Sequence, residues 1–172
     1  MKLLIINTCS NKLSEREFVL PFENKDTRTN HYSDLKDLSW ADKILITGTA
    51  LADNEYLKNL TKFNWLSETD KPVLGICSGA QIIALIFGGK IIKNQELGMV
   101  NVKGTLFGKK DFQVYSLHQN GISELNEFDI LVKSNDSIHA IKHKSKEIYG
   151  VIFHPEVRNN WVIEKFIEVC IC

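Results

Sequence analysis

The sequence predicts an α/β protein: a three-layer sandwich with a mostly parallel central sheet, helices on both faces, and a smaller region of antiparallel strands. Three observations predict it. Short, unbroken apolar runs at Leu3–Ile6, at Lys43–Gly48 and leading into Gly75 have the character of strands buried on both faces. The segments around them carry helical spacing, as strand–helix alternation requires. After Gly88-Gly89 the character changes to loose alternation broken by Gly98, Gly104 and Gly108, which reads as shorter, partly antiparallel strands. A length of 172 residues suits one domain spanning the whole chain, with enough mass for a three-layer core.

Taken in order, Leu3–Ile6 is the first buried strand. Ser14 to Phe18 suits a short helix that ends before Pro21, and Thr27–Tyr32 a second, more exposed strand. Ser33 to Leu38 is one amphipathic turn, and Lys43–Gly48 a buried strand closing in a glycine turn. From Asp53 to Ser67, Tyr56, Leu57, Leu60, Phe63 and Leu66 form one helical face, stopped at Lys71-Pro72. A strand then enters Gly75-Ile76-Cys77-Ser78-Gly79, and a helix with the apolar run Ile82–Phe87 leaves it. Lys90 to Leu106, Asp111 to Leu117, Phe128–Val132 and Ser137–Ile141 follow as strands, and Ile148–Phe153 is a further buried one. Asn159 or Asn160 caps a last helix running through Val169, with Trp161, Val162, Phe166 and Val169 on or near one face.

Composition excludes several function classes. Lys+Arg and Asp+Glu balance at 21 each, so no overall field recruits nucleic acid or an anionic membrane. The four cysteines, Cys9, Cys77, Cys170 and Cys172, have neither C-x-x-C spacing nor a histidine cluster nearby. That argues against a metal site or disulfide framework and fits a reducing compartment. The apolar run after Met1 is too short for a signal peptide or a membrane span, so a cytoplasmic protein is expected. No motif calls for a cofactor.

The stretch Gly75-Ile76-Cys77-Ser78-Gly79 has the form of a nucleophile elbow, with cysteine at the corner between strand and helix. Glycine two residues before and after the nucleophile removes side chains that would collide in the turn. The corner sets the sulfur at a helix N-terminus, where the dipole and free N–H groups favour a thiolate and can also bind an oxyanion. Taken alone, the same five residues would equally build a tight turn around a buried cysteine. A cysteine nucleophile further needs a base and a group that orients the base. His154-Pro155-Glu156 supplies both at a strand end, with side chains at i and i+2 of an extended segment on one face. In a parallel sheet, sites gather at the carboxyl ends of strands, where the elbow, Gly48 and His154 all fall.

With these residues in place, the chain resembles the class I (triad-type) glutamine amidotransferases. The resemblance is carried by Gly75-Ile76-Cys77-Ser78-Gly79-Ala80-Gln81 (the family's G-I-C-x-G-x-Q) and by Phe153-His154-Pro155-Glu156-Val157 (its F-H-P-E-V). Gly88-Gly89-Lys90-Ile91 and Glu96-Leu97-Gly98 match the family's G-G-K-V/I and E-x-G between them. Within the family, residues 148–157 are most similar to the glutaminase subunit or domain of GMP synthases. The resemblance is specific from Lys71 to Val157 and weak before Lys43.

It implies Cys77 as nucleophile, His154 as base and Glu156 as its orienting acid. It further implies glutamine contacts from Gly48, Ser78, Gln81, Leu117 and His118, with the oxyanion held by the Ser78 N–H and one from the Gly48 loop. Two stretches depart from the family pattern. Thr47-Gly48-Thr49-Ala50 stands where the family has S-G-G-P, and a donor requiring positive φ at position 49 would strain a threonine. In Val114-Tyr115-Ser116-Leu117-His118-Gln119-Asn120, serine precedes histidine by two places instead of one, so this loop would serve through its backbone.

The chain has no S-G-G-x-D-S pyrophosphatase loop and no P-loop to consume ammonia. The resemblance therefore implies a separate synthetase subunit of the ATP-pyrophosphatase type. The other readings are a free-standing γ-glutamyl hydrolase, a subunit of another amidotransferase such as one for anthranilate or carbamoyl phosphate, and a catalytically weak pseudoenzyme that regulates a synthetase.

Overall fold

A computed structural model describes residues 1–169; Cys170, Cys172 and the side chain of Val169, about which the sequence raised expectations, lie outside the described residues. Nine described strands form one sheet in the order β2-β1-β3-β4-β9-β8-β7-β5-β6. They are β1 (Leu3–Asn7), β2 (Thr27–His31), β3 (Lys43–Ile46), β4 (Val73–Ile76), β5 (Lys90–Leu106), β6 (Lys109–Ser123), β7 (Phe128–Lys133), β8 (Ile138–His143) and β9 (Ile148–Val151). The pairs β1–β2, β1–β3, β3–β4 and β4–β9 are parallel. From β9 outward, every pair is antiparallel: β8–β9, β7–β8, β5–β7 and β5–β6.

The expected mostly parallel sheet with a smaller antiparallel region is therefore corrected to an evenly mixed one. Its two longest strands, β5 with 17 residues and β6 with 15, are antiparallel. The sequence marks Lys90 to Leu106 as shorter strands and ends the next at Leu117, because the alternation is diluted by solvent exposure on both faces. The turn between them also carries an unusual residue. Leu106 pairs with Lys109, and the two loop residues, Phe107 and Gly108, have φ of 46° and 83°. Positive φ at both positions marks a tight type I′ hairpin, a conformation that phenylalanine does not advertise.

The parallel half is layered as predicted. Leu4, Ile6, Ile44 and Ile46 pack on one face against Tyr56, Phe63, Leu66 and Ile83. Leu3, Ile5, Leu45 and Leu74 pack on the other against Val19, Phe22, Val162 and Phe166. Successive residues of one strand thus feed two cores, which is why these strands are apolar throughout. Helix α1 (Lys12–Val19) is capped by Asn11, whose side chain accepts from the Leu13 N–H at 2.9 Å, and a 3-10 turn over Leu20–Phe22 carries Pro21. The face read over residues 53–67 is realised as a 3-10 segment (Glu55–Phe63), broken at Asn59, and then α2 (Trp65–Glu68). The last helix, α5 (Trp161–Val169), is anchored by the buried Lys43, whose Nζ donates to the Phe166 carbonyl at 3.0 Å. Among the described residues, no helix is long and apolar enough to cross a membrane.

Candidate active site

Between β4 and α3 (Ser78–Ile86) the chain turns at Cys77, which has φ 50° and ψ −105°. A non-glycine residue in this region is strained, and such strain persists only where neighbours over-determine it. Here they do. A Cβ on Gly75 would lie 2.5 Å from the Gly79 backbone, and one on Gly79 would lie 2.5 Å from the Ile46 carbonyl oxygen. Both glycines are therefore required by close approach. The Cys77 N–H donates to the Val151 carbonyl at 2.8 Å, so the elbow is also tied to the neighbouring strand β9.

That tie brings in the histidine, because β9 runs parallel to β4 and the chain reaches His154 three residues after Val151. The His154 N–H donates to the Tyr115 carbonyl at 3.0 Å, which fixes it between β9 and β6. Its Nδ1 sits 2.7 Å from Glu156 Oε1, with both side chains buried. The route differs from the one the sequence suggested. Pro155–Arg158 is a one-turn helix, α4, so Glu156 reaches the ring from a helical turn instead of an extended segment. Burial pushes the His154 imidazole down, but the Cys77 sulfur and the Glu156 carboxylate outweigh it and raise its pKa to about 10. The ring thus stands between a cysteine sulfur and a carboxylate that both favour its charged form.

Gly48 adjoins both groups: a Cβ there would lie 3.2 Å from His154 Cε1 and 3.4 Å from Cys77 Cβ. Its carbonyl accepts from Thr47 Oγ1 at 2.9 Å and Thr8 Oγ1 at 3.2 Å. Thr49 is not among the residues with positive φ, so the strain expected there is absent. Its hydroxyl instead donates to Asp53 Oδ2 at 2.7 Å. Ser78 is buried, and its hydroxyl donates to the Thr47 carbonyl at 3.1 Å and meets Thr8 Oγ1 at 3.0 Å. Its N–H, at the first helical position, needs no partner within the helix.

A narrow cleft opens beside the sulfur, lined by Thr49, Asp53, Tyr56, Cys77, Ser78, Gln81, Leu117, His118 and Asn120 among others. The Leu117 carbonyl lies 3.9 Å from Cys77 Sγ. The Gln81 side chain accepts from the Tyr56 hydroxyl and donates to the Asn120 carbonyl at 3.1 Å, so its amide braces the cleft wall. His118 is buried, with Nδ1 2.9 Å from the Asn94 carbonyl and Nε2 3.7 Å from Glu96 Oε2. His139 Nε2 approaches the same carboxylate oxygen at 2.8 Å. Burial holds both histidines below the usual value despite the attraction of Glu96. The cleft encloses only about 20 Å³, room for one water.

Of the expected site residues, Cys77, Ser78, Gln81, Leu117 and His118 line this cleft, Gly48 adjoins Cys77 and His154, and His154 pairs with Glu156. Sequence reasoning missed Thr8, Asp53, Tyr56 and Asn120. Tyr56 was visible only as a member of an apolar helical face, Asn120 only as the end of the loop read to serve through its backbone, and Thr8 and Asp53 carried no signal of their own.

Comparison with known proteins agrees with this geometry. The profile of the family described as "Glutamine amidotransferase class-I" matches residues 5–168. The glutamine-hydrolyzing GMP synthase A subunit from Methanobrevibacter smithii is 32% identical over 120 residues, 62% of this chain and 63% of that one. The protein of the same name from Methanosphaera stadtmanae is 38% identical over 115 residues, 59% of this chain and 62% of that one. The matched region thus spans less than two thirds of these relatives' length. Among solved structures, a putative GMP synthase A subunit from Thermoplasma acidophilum superposes with a TM-score of 0.82 at 27% identity, covering 99% of this chain and 94% of that one. A glutamine amidotransferase from Thermotoga maritima has a TM-score of 0.70 at 16% identity, covering 98% of this chain and 81% of that one, a likeness of fold alone. The elbow cysteine, the histidine behind it and the match along nearly the whole chain lead to one placement: this chain belongs to the class I glutamine amidotransferases.

Proposed function

We propose that the chain is a glutaminase subunit, folded as a single domain and cytoplasmic, that releases ammonia from glutamine for a separate ATP-pyrophosphatase-type synthetase. The observation that carries this reading is the strained Cys77 at the end of β4 beside the buried His154–Glu156 pair. The names of the relatives favour a GMP synthase as the enzyme served.

In this reading Cys77 attacks the side-chain amide carbon of glutamine as a thiolate. The developing oxyanion takes hydrogen bonds from the Ser78 N–H and from an N–H of the Gly48–Thr49 loop. The His154 imidazolium gives its proton to the departing nitrogen, which leaves as ammonia, and a γ-glutamyl thioester remains. Neutral His154 then takes a proton from water as that water attacks the thioester, and the thiolate departs with glutamate released. Glu156 keeps the ring oriented and its positive form stable throughout. The oxygen of Leu117 and the braced amide of Gln81 shape the wall on which the substrate chain rests.

The test is covalent labelling with a diazo-ketone analogue of glutamine, followed by mapping of the modified peptide by mass spectrometry. A γ-glutamyl-like adduct on Cys77 is expected. An adduct on Cys9, with Cys77 untouched, would refute the assignment.

A further inference from the structure

The cleft beside Cys77 has a one-signed charge that the reaction chemistry leaves unused. Of the residues lining it, Asp53 is the one Asp, Glu, Lys or Arg. Its carboxylate is built in. Oδ2 accepts from the Ser10 N–H and from Thr49 Oγ1, each at 2.7 Å, and Oδ1 accepts from the Glu55 N–H at 3.2 Å. Burial pushes this carboxyl up, but those hydrogen bonds outweigh it and hold it below the usual carboxylate range. The other titratable groups on the lining offer no positive charge. Burial keeps the Tyr56 phenol protonated well beyond neutral pH and keeps His118 neutral. The hydroxyl of the exposed Ser10 also reaches this carboxylate, and of its four donors it is the one an incoming ammonium group would displace.

Glutamine is a zwitterion at one end and an amide at the other. With the amide at Cys77, its α-ammonium falls toward the outer part of the cleft. Thr49 is one residue from Gly48, which adjoins Cys77, and its hydroxyl holds Asp53. We propose that Asp53 is the specificity-determining carboxylate of this cleft, receiving the α-ammonium group of the substrate and selecting free α-amino acid amides over simple primary amides. The proposal rests on the glutaminase reading above. It assigns to Asp53 a role beyond tying the loop.

The experiment uses the tagged chain recovered with its bound partner from the native host. Two diazo-ketones are compared: the amino-acid form, and the same molecule lacking only the α-amino group. In each, the diazo carbon takes a proton, the Cys77 sulfur bonds to that carbon, and nitrogen leaves as N₂. The rate of Cys77 labelling is followed by mass spectrometry. A hydrogen bond between charged groups predicts that the parent prefers the amino form by roughly 10- to 100-fold.

Asp53→Asn should remove that preference by slowing the amino form alone. Thr49→Val, which cuts the loop tie and keeps the carboxylate, should preserve it. Equal slowing of both reagents by Asp53→Asn, or a preference left intact, would overturn the proposal while sparing the glutaminase reading. Failure of both reagents to label Cys77 in the parent would sink the two together. Circular dichroism of each variant separates misfolding from lost recognition.

Discussion

The two halves of the sheet hold buried histidines that the fold treats in opposite ways. On the parallel side, His154 stands between Cys77 and Glu156, and its pKa is raised to about 10. On the antiparallel side, His118 and His139 share one carboxylate, Glu96, and burial holds both below the ordinary value. Burial is the first cause in every case and always disfavours the charged ring. What differs is the partner set. His154 has the Cys77 sulfur and the Glu156 carboxylate to itself, whereas His118 and His139 divide one carboxylate between them and repel each other if both are charged. In the proposed reaction the parallel half supplies the charged ring, and the antiparallel half a neutral wall beside it.

The largest expected effect breaks the parallel side. Cys77→Ala should reduce glutamate release to background, since no second nucleophile is proposed, and His154→Ala should do nearly as much. Glu156→Gln keeps the base and weakens its orientation, so it should retain about 10- to 100-fold more activity than His154→Ala. Steady-state glutamate release, measured in the complex with its partner, ranks the three. Parent-like turnover by His154→Ala would refute its role as the base.

The next effect tests whether the antiparallel wall limits the reaction. Thr47-Gly48-Thr49-Ala50 departs from the family pattern, and the Gly48 carbonyl is held by two threonine hydroxyls. The isolated chain should therefore release glutamate more slowly than the complex, by on the order of 10²–10³ if one oxyanion donor is misplaced at rest. Such activation requires the partner to bind the open, competent arrangement more tightly than the resting one. Equal rates for the chain alone and the complex, with the acceptor nucleotide present, would show that the cleft is competent as built.

A comparison of stabilities comes third. Gly79→Ala forces a Cβ against the Ile46 carbonyl and should cost about 1–3 kcal/mol or more through overpacking. On β5, Leu97 is 54% exposed, and Leu97→Ala should stay within about 0.5 kcal/mol of the parent. Urea unfolding of both variants measures the contrast. A Leu97 variant as unstable as the Gly79 variant would mean that the exposed hairpin face is structurally coupled to the core.

The same division explains what could be read in advance. Strands β1, β3 and β4 feed two cores, so apart from Asn7 and Lys43 at their ends they carry no polar side chain and the run announces itself. The elbow was legible because close backbone approach leaves only glycine at 75 and 79, a constraint written directly in residue identity. The hairpin β5–β6 was underestimated because its length rests on backbone ladder bonds that many side chains satisfy, and its turn uses Phe107 at positive φ. The 3-10 segment and α2 together kept the predicted buried residues Tyr56, Phe63 and Leu66, but not one continuous α-helix, since the break at Asn59 leaves no apolar signature. Asp53 and Thr8 went unnoticed because their parts depend on three-dimensional neighbours more than forty residues away, such as Ser10 for the first and Ser78 for the second.

The smallest effect sharpens the histidine contrast through pH. A histidine whose folded pKa lies below its unfolded value near 6.5 stabilises the fold relative to acid conditions. For His118 and His139 that contribution is present above pH 6.5 and is lost as pH falls through 6.5 toward the lower folded values. The groups facing this pair are Glu96 from β5 and His154 beyond β9, with Cys77 behind the latter. For His154 the sign reverses. Its folded value is raised, so its contribution is fully present below about 6.5 and is lost as pH rises through about 10. Thermal midpoints of the parent, His139→Gln and His154→Gln between pH 5 and 11 read both limbs against each other. His139→Gln should flatten the acid limb and leave the alkaline one, and His154→Gln should flatten the alkaline limb and leave the acid one. If His154→Gln loses stability between pH 7 and 10 as steeply as the parent, then Cys77 and Glu156 do not hold the imidazolium, and the parallel half has no special claim to a cation.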